Sequence, residues 1–342
     1  MAKFRRFRGK RIRRPVTEAR EFYMGYTPWS YDDTIESVES TYAFLNAHGD
    51  IISHHLEAGV PWTEALSGAA FHSNVTTGWQ YRVDNTETAK SFVSITPLNN
   101  ARDGLALYQG SSDNMALPGA FDGLAFNHPH VKQAFKSYAK RVVSFFNPDY
   151  LAIAVEANEL MANDTTLWND FVELYAETYA AVKTEHPDLP VFFTTSVHNM
   201  ESWQWEYLLP LCAYSDLAGA SYHPQLQAGF NLGDPLSALT DFIARVSKPV
   251  VVTEASYPAD DISIIPGFPG TPAYQNAVYT VLLDLAQSNP FEFCIFWAHR
   301  DHDAIAGDLP ALAEVWQSVG VLEADGTQRA SYTTLESYFT GV

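Results

Sequence analysis

Two hydrophobic patterns alternate along this 342-residue chain. Short runs rich in β-branched and aromatic residues recur at 22–26 (FYMGY), 50–55 (DIISHH), 90–96 (KSFVSIT), 150–156 (YLAIAVE), 189–195 (LPVFFTT), 216–222 (DLAGASY), 248–254 (KPVVVTE) and 291–297 (FEFCIFW). Each predicts a strand. Runs such as VVVTE and YLAIAV are apolar on both faces, as parallel strands covered by helices should be. Between them, apolar residues at helical spacing predict helices over 32–45, 131–146, 167–185, 203–212, 236–246, 273–288, 311–319 and 331–338. Eight strands alternating with helices predict an α/β fold, a single (β/α)8 TIM barrel over 21–342.

Two connections, 57–89 and 97–128, are long and rich in Gly, Asn, Asp and Pro. Both follow strands, which places them on the C-terminal face of a barrel, where this fold carries its active site. No GxGxxG turn follows the first strand, so a dinucleotide site has nothing to rest on. No P-loop and no Gly-x-Ser-x-Gly elbow is present.

Charge narrows the partners. The net charge of −19 argues against nucleic acid and anionic membranes. Eight basic residues and no acid fill residues 1–14, which leaves 13 of the 21 basic residues against all 40 acidic ones. Residues 1–20 are expected to form a disordered basic tail. No apolar core follows those charges as a complete signal peptide requires, and no apolar run is long enough to span a membrane. Aromatic residues reach 14%, with 8 Trp. Flat rings in a groove suit the C–H faces of neutral sugars, so a monomer acting on carbohydrate, outside the cytoplasm (secreted or periplasmic), is the expectation. Cys212 and Cys294 form no Cys-x-x-Cys pair, and Cys294 in FEFCIF reads as a buried thiol.

The chemistry centres on carboxylates near the ends of the fourth and seventh strands: Glu159 in AVEANEL and Glu254 in VTEASYP. Carboxylates beside such apolar runs are costly unless used or paired. Cleavage of a glycosidic bond with retention needs two, about 5–5.5 Å apart: one protonated to serve the leaving oxygen, the other ionised to attack the anomeric carbon. Strands four and seven face each other across a barrel mouth. Glu156, three residues before Glu159, competes for the acid role, and strand alternation would turn the two to opposite faces.

These segments resemble the clan A glycoside hydrolases. Asn158-Glu159, Ser221-Tyr222-His223-Pro224 and Glu254-Ala255-Ser256-Tyr257-Pro258 are similar to the endo-β-1,4-galactanase family within that clan, and 319–338 resembles the clan's closing segment. The likeness covers roughly 145–342. The opening segments 23–29 and 54–62 depart from the galactanase pattern. The resemblance implies Glu159 as general acid/base and Glu254 as nucleophile. It implies that Asn158 hydrogen-bonds a sugar 2-hydroxyl, that Tyr222 hydrogen-bonds Glu254, and that Trp297 forms the floor under the cleaved sugar.

Further polar and aromatic residues at strand ends complete the expected substrate-binding set: His223, His299, His54 (or its neighbour His55), Trp29 and Tyr257. Tyr257 and Trp297 are expected to wall the acid. His198 also ends a strand, and His128 and His130 read as a helix cap. The run His299-Arg300-Asp301-His302-Asp303 looks like a metal run but reads better as a polar substrate loop. No cofactor and no metal is expected. Two other readings remain: a non-catalytic carbohydrate-binding barrel, and a metal-dependent barrel hydrolase.

Overall fold

The computed structural model describes residues 20–308 and 310–340. The expected disordered tail therefore lies, up to residue 19, outside the described residues. Arg20, which the predicted boundary left in that tail, belongs to the barrel: its Nη1 donates to Asp50 Oδ2 at 2.6 Å and to the Phe22 carbonyl at 2.6 Å.

Nine parallel strands form one sheet: β1 Tyr23–Tyr26, β2 Ile51–Leu56, β3 Lys90–Ile95, β4 Tyr150–Ala152, β5 Val191–Phe192, β6 Thr194–Ser196, β7 Ala218–Tyr222, β8 Val250–Ala255 and β9 Phe291–Phe296. The order runs β5-β4-β3-β2-β1-β9-β8-β7-β6. β5 and β6 are two halves of one stave broken at Phe193; one half pairs with β4 and the other with β7. That continuity closes the barrel with eight staves, as the sequence predicts.

The fourth stave is shorter than expected. Regular pairing ends at Ala152, residues 153–156 bend, and helix begins at Ala157. The outer helices are α1 Ile35–His48, α2 Trp62–Ser67, α3 Ser73–Asp84, α4 Pro129–Phe146, α5 Ala157–Asn163, α6 Thr165–Glu185, α7 Trp205–Leu211, α8 Ser237–Arg245, α9 Pro272–Ser288, α10 Glu314–Gln317 and α11 Ala330–Thr340. Two of them, α2 and α3, fill the connection read as a loop. The helix expected over 311–319 breaks into a 3-10 turn and the single turn α10.

Alternation divides each strand between two cores. Ile51, Phe92, Tyr150, Phe192, Val251 and Phe293 pack inside the barrel, where the Phe92 and Phe192 rings stack at 5.5 Å. Ile52, Val93, Leu151, Ala220, Val252 and Cys294 face the helices. The aromatic layer plugs the barrel, and the polar side chains of the mouth gather above it.

Candidate active site

Following each strand upward from the plug in steps of two gives the mouth. On β2 the inward positions after Ile51 are Ser53, His55 and then Glu57. On β7 they run Leu217, Gly219, Ser221, then His223. On β9 they run Phe293, Ile295, then Trp297. Glu156 stands beyond the regular part of β4, at the end of the bent segment 153–156, and reaches Ser221 of β7 from there. β8 needs a correction to its phase. Val252 pairs with Ala220 but Glu254 pairs with Ser221, so Thr253 is an extra, bulged residue. Without the bulge Glu254 would face the helices; with it, the carboxylate turns inward.

Glu254 is 4% exposed. Its Oε2 lies 3.1 Å from His223 Nε2 and accepts from Ser221 Oγ at 3.3 Å, while its Oε1 lies 3.6 Å from His55 Nε2. Ser221 Oγ also lies 2.9 Å from Glu156 Oε1. One oxygen of Glu156, one of Glu254 and a ring nitrogen of His223 fall within 4.8 Å of one another. Arg102, carried in by the long loop after β3, sets Nη2 3.3 Å from Glu156 Oε2 and 3.6 Å from Glu57 Oε2. His55 Nδ1 lies 3.4 Å from Glu57 Oε1.

The charges follow from this packing. Burial raises the pKa of Glu156, and the charge of Glu254 raises it further, against the pull of Arg102 and His223. The Ser221 hydroxyl, with one proton to give, lies between the two carboxylates, 2.9 Å from Glu156 Oε1 and 3.3 Å from Glu254 Oε2. Burial would push Glu57 up, but Arg102 and then His55 outweigh it and hold that carboxyl at about 2. Burial would lower His55, but Glu254 and Glu57 together raise it. His198, 5.6 Å from the His223 ring, is held neutral by burial and by His223, at about 3.

Indoles wall the mouth. The half-buried Trp297 ring lies 5.5 Å from Trp29, 5.6 Å from His55, 5.5 Å from His223 and 6.1 Å from Trp316. The buried Nε1 of Trp29, Nε1 of Trp316 and Nε2 of His55 have no hydrogen-bond partner. Buried donors left this way are uncommon and suit an incoming hydroxyl-rich molecule. The set Glu156, His223 and Glu254 resembles a cation site, but the Arg102 guanidinium already supplies positive charge to Glu156 there.

His223 touches Glu254, and Trp29 and Trp297 pack with His55 at the same mouth; other residues stand elsewhere. Tyr222 faces outward from β7, and its hydroxyl donates to the Pro235 carbonyl, so it is His223 that touches Glu254. His54 likewise faces the helices, where Nε2 meets Thr86 Oγ1 at 2.9 Å; His55 is the inward one. The Tyr257 hydroxyl donates to the Pro269 carbonyl at 2.8 Å, and its fully buried ring walls no carboxylate of the mouth. His299 packs on Phe44 of α1 and on Tyr31, and burial holds it neutral at about 3. Arg300 caps the Ala324 carbonyl, and Asp301 pairs with Arg329 at 2.6 Å, so that run fastens the C-terminal segment.

Asn158 is 1% exposed and bound at both ends to strand six: Nδ2 donates to the Ser196 carbonyl at 3.1 Å and Oδ1 accepts from the Ser196 N–H at 2.8 Å. It fastens α5 rather than pointing at a sugar. Glu159 stands in the first turn of α5, half-buried, with Oε1 accepting from Asn199 Nδ2 at 3.0 Å. Because Glu159 is helical, alternation does not govern it. Arg102, Glu57, Ser221 and Trp316 are members that sequence reasoning missed.

No family model matches the chain, and no curated protein matches it in sequence. Solved structures do match in fold. The chain is similar to an exo-β-1,4-mannosidase from Opitutaceae bacterium strain TAV5, with a TM-score of 0.67 at 13% identity over 93% of this chain. It spans 59% of that protein's length. It is also similar to xylanase 10B from Thermotoga maritima, with a TM-score of 0.63 at 13% identity, covering 94% of this chain and 95% of that one. The family 53 glycoside hydrolase catalytic domain from Ignisphaera aggregans gives 0.58 at 13% identity, covering 94% and 98%. All three are clan A barrels. The mannosidase and xylanase match alongside the family 53 domain, so the galactanase likeness is not singled out. Identities this low establish the barrel and nothing finer.

Proposed function

We propose that this protein is a retaining glycoside hydrolase acting on a neutral, β-linked glycan, with Glu254 as nucleophile and Glu159 as general acid/base. The observation that carries the reading is the Glu254 carboxylate, turned into the barrel by the Thr253 bulge, gripped by His223 and Ser221, and walled by indoles. A buried carboxylate at such a mouth is what nucleophilic attack on an anomeric carbon requires. Glu159 keeps the acid role because it is partly exposed and Asn199 engages Oε1, which leaves Oε2 to serve a leaving group.

A second reading gives the acid role to Glu156, favoured by its raised pKa and its closeness to Glu254. Against it, both of its oxygens are committed, to Ser221 and to Arg102. The Glu→Gln variants decide. Glu254→Gln should lose several orders of magnitude in rate with its circular dichroism unchanged; retained activity overturns the assignment. The true acid/base variant alone should keep good turnover of aryl glycosides with activated leaving groups and gain rate with added azide. A screen of galactan, mannan, xylan and β-glucans with product analysis identifies the sugar. Hydrolysis that survives EDTA answers the metal-dependent alternative, and oligosaccharide recovered intact after binding would favour a non-catalytic barrel. Polymeric substrates fit a secreted or periplasmic location. Among the described residues no helix is long and apolar enough to cross a membrane.

A further inference from the structure

The contact between His223 and Glu254 has a definite sense of donation, set by residues that lie behind it. We propose that Gln225, Ser256 and His223 form a hydrogen-bond relay that favours the Nε2–H tautomer of His223 and so aims an N–H donor at Glu254 Oε2. This rests on reading Glu254 as the nucleophile, but the relay itself is a property of the protein alone.

The direction is set at the far end. Gln225 stands on the 3-10 turn Pro224–Leu226 that follows β7 and is 2% exposed. Its Nε2 lies 3.2 Å from the Val315 carbonyl, which can only accept, so the amide must present its NH2 there. The same Nε2 donates to Ser256 Oγ at 2.7 Å. Ser256 Oγ faces His223 Nδ1 at 2.7 Å, and with Gln225 donating to it, Nδ1 is the one acceptor for its own proton among its hydrogen bonds. The serine proton goes to Nδ1, which leaves the imidazole proton on Nε2, 3.1 Å from Glu254 Oε2. The opposite tautomer would set a bare Nε2 lone pair against a carboxylate oxygen at that distance, two acceptors with no proton between them. A buried contact of that kind is strongly unfavourable.

The ring cannot evade the choice by turning. Trp297 and Trp316 cross its plane nearly edge-on, at 84° and 85° and centroid distances of 5.5 and 5.8 Å. Its own backbone N–H is tied to His198 Nδ1 at 3.3 Å. All four members of the chain are buried, from Gln225 at 2% to Glu254 at 4% exposed. The relay joins the loops after β7 and β8 to Val315 in the C-terminal segment. Ser256 and Gln225 are therefore positioning residues that act on the nucleophile through His223.

Long-range 1H–15N correlation of imidazole-labelled protein at neutral pH tests this directly, with His223 assigned by its loss in His223→Gln. The expected spectrum shows a bare, pyridine-like Nδ1 and a protonated Nε2. In Glu254→Gln, where no carboxylate demands the proton, the relay should still hold it on Nε2; adding Ser256→Ala should admit the other tautomer, and Ser256→Thr, which keeps the hydroxyl, should restore the first. A proton on Nδ1 in the unaltered protein, or the same tautomer in Glu254→Gln with and without Ser256→Ala, overturns the relay. On a hydrolysed glycoside, Ser256→Ala should lower kcat by about tenfold or more with KM within about twofold, and Ser256→Thr should recover it. Equal kcat for Ser256→Ala also overturns it. Failure to hydrolyse any glycan would refute the proposed function while the tautomer measurement still decided the relay.

Discussion

The guanidinium of Arg102 lies 3.3 Å from the carboxylate of Glu156, and both residues hold left-handed backbone, at φ 54° and 50°. Among the described residues only Asn114 and Asn147 share that conformation without being glycine. Asparagine enters it readily; arginine and glutamate do so at a cost of about 1–3 kcal/mol each. The strain sits where a long loop and a broken strand are bent to bring one cation to several carboxylates. Glu57 and Glu156 both depend on it, so Arg102→Met should destabilise the fold by about 3 kcal/mol, the low end for removing one partner of a buried pair. Denaturant unfolding should show a lower midpoint at unchanged slope, and adding Glu156→Gln to Arg102→Met should recover part of the loss. An unchanged midpoint would mean the pair is a surface contact in energetic terms.

Glu57 makes the stability of the fold depend on pH in a particular window. Its carboxyl is held at about 2 by Arg102 and His55 in spite of burial, against about 4.3 in an unfolded chain. A depressed folded value contributes stability that is present above the unfolded pKa and lost as pH falls toward the folded one. The stability difference between the unaltered protein and Glu57→Gln should therefore be largest above about pH 5 and shrink between pH 5 and 2. Urea titrations at several pH values measure it, and a difference independent of pH across that range contradicts the ion pairing.

The staves were legible because their β-branched and aromatic runs are bounded by turn residues, and the barrel followed from the count. Which face of each stave looks inward was not legible. Strands covered on both sides are apolar on both sides, so VVVTE carries no period to read and conceals the bulge at Thr253. The same ambiguity left His54 and His55 undivided, neighbours that a one-residue phase decides, while the contact of Tyr222 with Glu254 came from the family resemblance and falls to His223. A signal was available. Small or polar residues mark the inward line above the plug, as in Ser53-x-His55-x-Glu57 and Gly219-x-Ser221-x-His223. Arg102 had no signal of this kind, since its place depends on how a 32-residue connection without regular strands or helices folds back.

Trp297 is the clearest test of the sugar-facing wall. It follows β9 on the inward line, stays half-buried, and contacts Trp29, His55, His223 and Trp316. Trp297→Ala should lower kcat/KM at least tenfold, about 1.4 kcal/mol of lost transition-state stabilisation. Trp297→Phe, which keeps a flat apolar face, should lose less. Equal kinetics for the alanine variant would place the sugar elsewhere on the mouth.

Closure of the barrel depends on Gly25. It pairs with Ile51 where β1 meets β2, and a Cβ there would lie 1.7 Å from the Ile51 carbonyl oxygen and 2.7 Å from its carbon. Both are backbone atoms, which cannot swing aside as a side chain would. Relief requires opening the β1–β2 ladder, which has only two residue pairs, Gly25 with Ile51 and Tyr26 with Ile52. Gly25→Ala should therefore cost about 4 kcal/mol or more, or leave no soluble protein. Gly78 is the matched control: it lies exposed in α3 with nothing within 4 Å of an added Cβ. There alanine should stabilise by about 0.5–1 kcal/mol, because glycine is the poorer helix former. Unfolding midpoints of the two variants should move in opposite directions. If they moved together, glycine's general flexibility rather than the tight β1–β2 approach would explain position 25.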